Sequence, residues 1–202
     1  GKPNEKLYSK LSVPMVSLYK IIGRKNIISS SEDGGAQVAR HFCSTGRTRV
    51  GYLGPTSSQY GNDKLAGLES GLEACGLKIA KILDCNQHET AENQKAYQIF
   101  SRYLEENDPR AINAWFAHSD IAASDIIRAL MEHGVRVPED VSVCGYNDTL
   151  LARKMIPSVS SVASPIDEIA RMAIELLIHA IDQDNEPETV CLTPHLVIRE
   201  SS

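Results

Sequence analysis

Tyr146, Asn147 and Asp148 set an aromatic ring, an amide and a carboxylate side by side. They follow a short apolar run, Val141-Ser-Val-Cys144, and one glycine. The run is β-branched and too short for a helix, so it reads as a buried parallel strand. Gly145 is expected to turn the backbone after it. Open parallel sheets bind ligands at the carboxyl ends of their strands, which would put these three side chains against a small polar molecule. Asn147 and Asp148 equally suit the cap of a following turn or short helix. A second polar turn, His118-Ser119-Asp120, sits between an apolar stretch and a helical pattern. Ser119 or Asp120 there could cap the helix or face a ligand. Lys64 also follows a strand and a loop, and Lys64, Asp120 and Asn147 are expected to line one compact pocket.

Other chemistries find no footing. No Gly-x-x-x-x-Gly-Lys-[Ser/Thr] string is present to cradle phosphates. Gly67-Leu-Glu-Ser-Gly71 has the wrong spacing for a nucleophile elbow and lies mid-helix. His41 and Cys43 are two apart and face different sides of a helix, and the six histidines lack ligand spacing, so neither metal nor cofactor is expected. Cys144, in a buried strand, is expected to pack rather than react.

The elements that must position these residues alternate. Strands are expected at 13–18, 27–28, 49–53, 79–83, 112–117, 141–144, 159–162, 190–192 and 196–198, with 21–26 a loop. Helices are expected from Glu32 to Thr45, stopped by Gly46, and at 63–75, 91–106, 122–132, 149–155 and 165–182. Strand and helix in alternation mean βαβ units and a parallel sheet covered on both faces. The fold class is therefore α/β, a Rossmann-like doubly wound parallel sheet.

A chain of 202 residues, 42% hydrophobic and 23% charged, can bury a core without staples. Its net charge of -5 gives it no electrostatic reason to hold nucleic acid. Five cysteines without a C-x-x-C pair, and no signal-peptide pattern, favour free thiols in a reducing cytoplasm. No apolar run approaches the ~18 residues of a membrane span.

Arg136-Val-Pro-Glu-Asp-Val-Ser-Val-Cys-Gly-Tyr-Asn-Asp148 resembles the characteristic VPEDVSVVGFDD string of the LacI/GalR family of transcription regulators. Glu32-Asp-Gly-Gly35 followed by Gly46-Arg-Thr-Arg-Val-Gly-Tyr-Leu-Gly-Pro55 is similar to the family's DNxxGG…GHRRIAxIxGP. Lys64-Leu-Ala-Gly67 falls on RxxGF, and Pro194-His-Leu-Val-Ile-Arg-Glu-Ser-Ser202 on LPxxLVxRxST. The resemblance runs from about Ser12 to the last residue.

That resemblance implies a periplasmic-binding-protein-like type I effector domain of two lobes, with a small molecule held between them. Residues 31–162 and 194–202 would form the second lobe, largely complete; 1–30 and 163–193 would be a partial first lobe. The DNA-binding headpiece is not in the sequence, which looks like a fragment of a longer regulator. Effector contacts would come from Tyr19, Tyr60, Lys64, Ser119, Asp120, Tyr146, Asn147 and Ser164. Lys64 stands where the family has an arginine, Asn147 where it has an aspartate, Tyr19 where an aspartate contacts sugars, and Ser164 where it often has glutamine. Lysine keeps the charge but not the bidentate fork. The effector is expected to be a sugar, a sugar phosphate or another small polar metabolite, and its binding would shift operator affinity. A homodimer is expected through Ile126, Leu130, Leu150, Leu151, Met155 and Ile156. Operator DNA would be reached only through a headpiece, so this chain alone would not bind it. The rival readings are a periplasmic sugar-binding protein of the same fold and a doubly wound hydrolase or nucleotide-binding enzyme. The regulator reading predicts no catalysis.

Overall fold

The computed structural model describes residues 13–19, 21, 25–85, 95–182 and 188–202, with nothing said of the side chains at 59 and 60. In chain order the elements are β1 (Val16–Leu18), β2 (Lys25–Ser29), α1 (Ser31–Ser44), β3 (Val50–Gly54), α2 (Gln59–Glu73), β4 (Ile79–Asp84), α3 (Lys95–Glu106) and β5 (Ala114–Ala117). There follow α4 (Asp120–Glu132), β6 (Ser142–Tyr146), α5 (Leu150–Lys154), β7 (Ser160–Ala163), α6 (Ile166–Ile181), β8 (Glu188–Leu192) and β9 (His195–Val197). They fall into two compact units, 1–30 with 164–194 and 31–163 with 195–202.

The larger unit is a six-stranded sheet in the order β4-β3-β5-β6-β7-β9, parallel except for β9, which runs antiparallel to β7. The sheet is α/β and mostly parallel, as the alternation implied. From β4 to β7 this is the doubly wound order in which the first strand lies inside the sheet and the chain winds outward on either side of it. The winding reverses between β3 and β5, and in open parallel sheets ligands bind outside the carboxyl ends of the strands at such a point.

Alternate residues of each strand feed two different cores. Tyr52, Phe116, Cys144 and Tyr146 pack with Val38, Phe42, Leu68 and Leu72 of α1 and α2. Leu53, Trp115, Ala117 and Val143 pack with Phe100, Leu104, Ile126, Ile127 and Leu130 of α3 and α4. Trp115 meets Phe100 and Tyr103 edge-on, at 4.9 and 5.5 Å between ring centroids. Gly51 beside it has to be glycine, since a Cβ there would stand 2.5 Å from the indole.

The smaller unit is a three-stranded parallel sheet, β1-β2-β8, with α6 against it. Ile27, Ile169 and Leu176 make its core. Lys25 is 2% exposed and reaches Glu188 at 3.3 Å. Strand β2 begins at Lys25, so the loop expected at 21–26 ends earlier; Asn26 is held in the ladder by Ser17 and Thr189.

Three other expectations need correcting. Gly145 does not turn the chain: β6 continues through it to Tyr146, and the turn comes at Asn147 and Asp148, at φ 101° and 50°. Helix α2 begins at Gln59 rather than Asp63, because Ser58 caps it by accepting from the Gly61 amide at 3.1 Å. Ile126 and Leu130 are fully buried in the α3–α4 core and have no surface to offer a second copy. Met155 is also partly tucked against that core, whereas Leu150, Leu151 and Ile156 are exposed. No described helix is long and apolar enough to cross a membrane.

Candidate functional site

Strand β5 ends at Ala117, and the chain leaves the sheet through His118 and Ser119. Lys64, in the second turn of α2, reaches over this exit and donates from Nζ to the His118 carbonyl at 2.9 Å. Its ammonium also lies 3.7 Å from the centroid of the Tyr146 ring. That ring, 4% exposed, lies tilted at 42° to Phe116, 6.4 Å between centroids, and presents its face to the cation. Burial lowers the Lys64 pKa to about 8, against an opposing pull from Asp120. Lys64 is thus a cation near its titration point, partly desolvated, with no described carboxylate within ion-pair distance.

Glycines bring α1 and α2 close enough for this. A Cβ on Gly35 would stand 2.2 Å from the Lys64 carbonyl, and one on Gly67 1.9 Å from that of Glu32. Gly34 passes beside Tyr146, where a Cβ would sit 3.0 Å from the ring.

Asp120 occupies the next position along the same edge, and its chemistry differs. It is 1% exposed. One carboxylate oxygen accepts from the Thr149 amide at 2.6 Å and the Thr149 hydroxyl at 2.8 Å; the other accepts from Ser161. Burial pushes its pKa up, the hydrogen bonds from Ser161 and Thr149 pull it down, and the charge of Asp148 adds to the rise. Gly145 is glycine because a Cβ there would stand 2.6 Å from the Asp120 carboxylate. Asp120 therefore pins α4 to the turn after β6 and to β7. Ser119 is the α4 cap, accepting from the Ala122 amide at 3.2 Å.

The turn after β6 is held from several sides. The Asn147 amide donates to Val162 at 2.8 Å, and its side chain is exposed. Asp148 pairs with Arg199 and, at 2.7 Å, with Arg153. Left-handed φ at two successive non-glycine residues is uncommon, and asparagine and aspartate tolerate it best. Arg199 also donates to the Val159 carbonyl at 2.7 Å, and Ser201 bonds Val143 and Ser160. The closing motif of the chain is thereby tied to the Tyr146–Asp148 motif.

Of the site residues read from the sequence, Lys64, Ser119, Asp120, Tyr146 and Asn147 lie along one carboxyl edge of the larger sheet. Tyr19, with φ 63°, and Ser164 belong to the smaller unit. Tyr60 lies in the first turn of α2, and its side chain is outside the described residues. The sequence reading missed Thr149, Ser161 and Arg199, whose partners are distant in sequence. It also missed the His118 carbonyl, a backbone group that no side-chain motif reveals.

The model of the periplasmic binding protein-like domain matches residues 39–202. The chain belongs to the periplasmic-binding-protein-like family. Among its relatives is the HTH-type transcriptional repressor PurR of Photobacterium profundum, 29% identical over 180 residues, 87% of this chain and 52% of that protein. Among solved structures it is similar to a LacI-family transcriptional regulator from Sanguibacter keddieii, 28% identical with a TM-score of 0.82 over 93% of this chain and 73% of that one. It is also similar to the complex of the transcriptional regulator CelR with cellobiose, 28% identical with a TM-score of 0.76 over 93% and 58%. The resemblance to LacI/GalR regulators is borne out. The chain spans about half the length of the curated relatives it matches.

Proposed function

We propose that this chain is the small-molecule-sensing part of a LacI-type transcription regulator, and that its effector is a sugar or a sugar phosphate. The observation that carries the reading is Lys64, poised on the face of Tyr146 at the carboxyl end of β5. A partly desolvated ammonium with one fixed acceptor keeps donors for a hydroxyl or phosphate oxygen. The exposed Asn147 side chain at the end of β6 adds an amide that can donate and accept. Tyr19, Tyr60 and Ser164 enter the proposal through the family resemblance alone. Relatives named as repressors, and a relative held with cellobiose, support both the regulatory role and the ligand class.

Effector binding would act by favouring one of two conformations, typically with about 1–3 kcal/mol of coupling to operator binding. The DNA contacts belong to the whole regulator, and no catalytic role is assigned to this chain. Leu150, Leu151 and Ile156, exposed around α5, are the side chains through which a second copy would be met. The test is a thermal-shift panel of pentoses, hexoses, cellobiose and sugar phosphates. A rise in unfolding temperature with one chemical class, lost in Lys64→Met, is expected. Equal responses of native and variant chains across the panel would overturn the reading.

A further inference from the structure

Strand β4 ends the larger sheet and pairs, among the described residues, with β3 alone. The chain leaves β4, passes β3 and enters β5, so α3 is seated inward of the edge strand: its Phe100 and Tyr103 meet Trp115 of β5. A groove of about 610 Å³ is left between β4 and α3. That volume lies within the roughly 300–1,000 Å³ of small-molecule sites. Buried Tyr103 and half-buried Leu83 and Ile99 give it apolar surface. Lys81, Lys95 and Arg102 bring three cations to it, against the one carboxylate of Glu106.

Backbone periodicity makes this grouping. Lys95, Ile99, Arg102 and Glu106 are three or four residues apart and share one face of α3. Lys81 is two residues before Leu83, hence on the same face of β4, and its Nζ lies 5.7 Å from the centroid of the Tyr103 ring. None of the three cations makes an ion pair with a described residue. The chain as a whole carries -5, so this groove runs against its general charge. A cleft lined by one sign of charge concentrates ligands of the other.

We propose that the groove between β4 and α3 is a second ligand site, for a small phosphorylated metabolite that carries hydroxyls, such as a sugar phosphate or a nucleotide. Lys81, Lys95 and Arg102 supply charged donors to the phosphate, with Arg102 able to donate twice in one plane. Glu106 accepts from a hydroxyl, and Leu83 and Ile99 cover the carbon skeleton. The groove lies on the α3 face of the sheet, whereas Lys64 belongs to α2 on the other face, so the two sites are separate.

The test is isothermal titration calorimetry at low salt on the Lys64→Met chain, which removes the charged donor of the other edge. The probes are ribose 5-phosphate, AMP, inorganic phosphate and ribose. Ribose 5-phosphate or AMP is expected to bind at one site and more weakly as salt is added, with ribose silent and inorganic phosphate weaker than the esters. The tighter ester tells a sugar phosphate site from a nucleotide site. Lys81→Gln and Arg102→Gln, made singly and together on exposed side chains, should weaken that binding, the pair by about tenfold or more. Glu106→Gln should weaken the esters and spare inorganic phosphate. Absence of binding by both esters, or an affinity that the folded double variant keeps, would overturn the proposal.

Discussion

Two charged residues stand at the carboxyl edge of one sheet, and their surroundings give them opposite roles. Around Asp120 the site is closed: every acceptor contact recorded goes to the chain's own Thr149 and Ser161, and the side chain is 1% exposed. Around Lys64 the site is open: one carbonyl and one aromatic face hold the ammonium, and its pKa falls to about 8. Sequence position makes the two equivalent, since each follows a strand and a turn. What separates them is how much of each group's hydrogen-bonding capacity the fold consumes. A consumed charge is scaffold, and a charge with capacity left is a binding group.

The largest expected effect comes from breaking the closed corner. Asp120→Ala leaves the Thr149 amide and hydroxyl and the Ser161 hydroxyl without their acceptor, and should cost roughly 3–5 kcal/mol of stability. Urea unfolding measures it, and Asp120→Asn should recover part of the loss. A change under about 1 kcal/mol would mean that Asp120 is not the pin.

Gly145→Ala presses on the same corner from below. Its Cβ would lie 2.6 Å from the Asp120 carboxylate, and a displacement of that group should cost about 1–3 kcal/mol. The effect should shrink in an Asp120→Ala background, which a double-mutant cycle would detect.

How much of this could be read beforehand differs between the two corners. The strand at 141–144 and the helix after Asp120 were legible because their apolar periods are clear. The end of β6 was not: Gly145 suggests a turn, and only the Asp120 carboxylate packed on it explains a glycine in an extended strand. The family resemblance maps the helix of Ile126 and Leu130 to a dimer face, but it does not say which of that helix's side chains point outward; these two pack in the core with Phe100, Leu104 and Val143. Lys64 was recognisable by motif, but its placement on Tyr146 depends on the glycine contacts between α1 and α2, which are invisible until the helices are packed.

The open corner has a pH signature of smaller size. The Lys64 pKa is lower in the folded chain than the ordinary 10.5. Between about 8 and 10.5 the unfolded chain therefore holds more proton at this position, and stability should rise with pH across that window. Urea unfolding of native and Lys64→Met chains should show their difference changing in favour of the native chain from pH 8 to 10.5. A constant difference would show that Lys64 titrates as an ordinary surface lysine. At neutral pH Lys64→Met should leave the chain folded, since relief of the desolvated charge opposes the loss of the hydrogen bond to the His118 carbonyl.

The most direct test of the account is the affinity of the ligand selected by the thermal-shift panel, measured by isothermal titration calorimetry at neutral pH on the native and Lys64→Met chains. Loss of a charged donor to the ligand should weaken binding at least tenfold, about 1.4 kcal/mol, while the chain stays folded. Equal affinity in the two folded chains would contradict the assignment of Lys64 as the binding group at this edge.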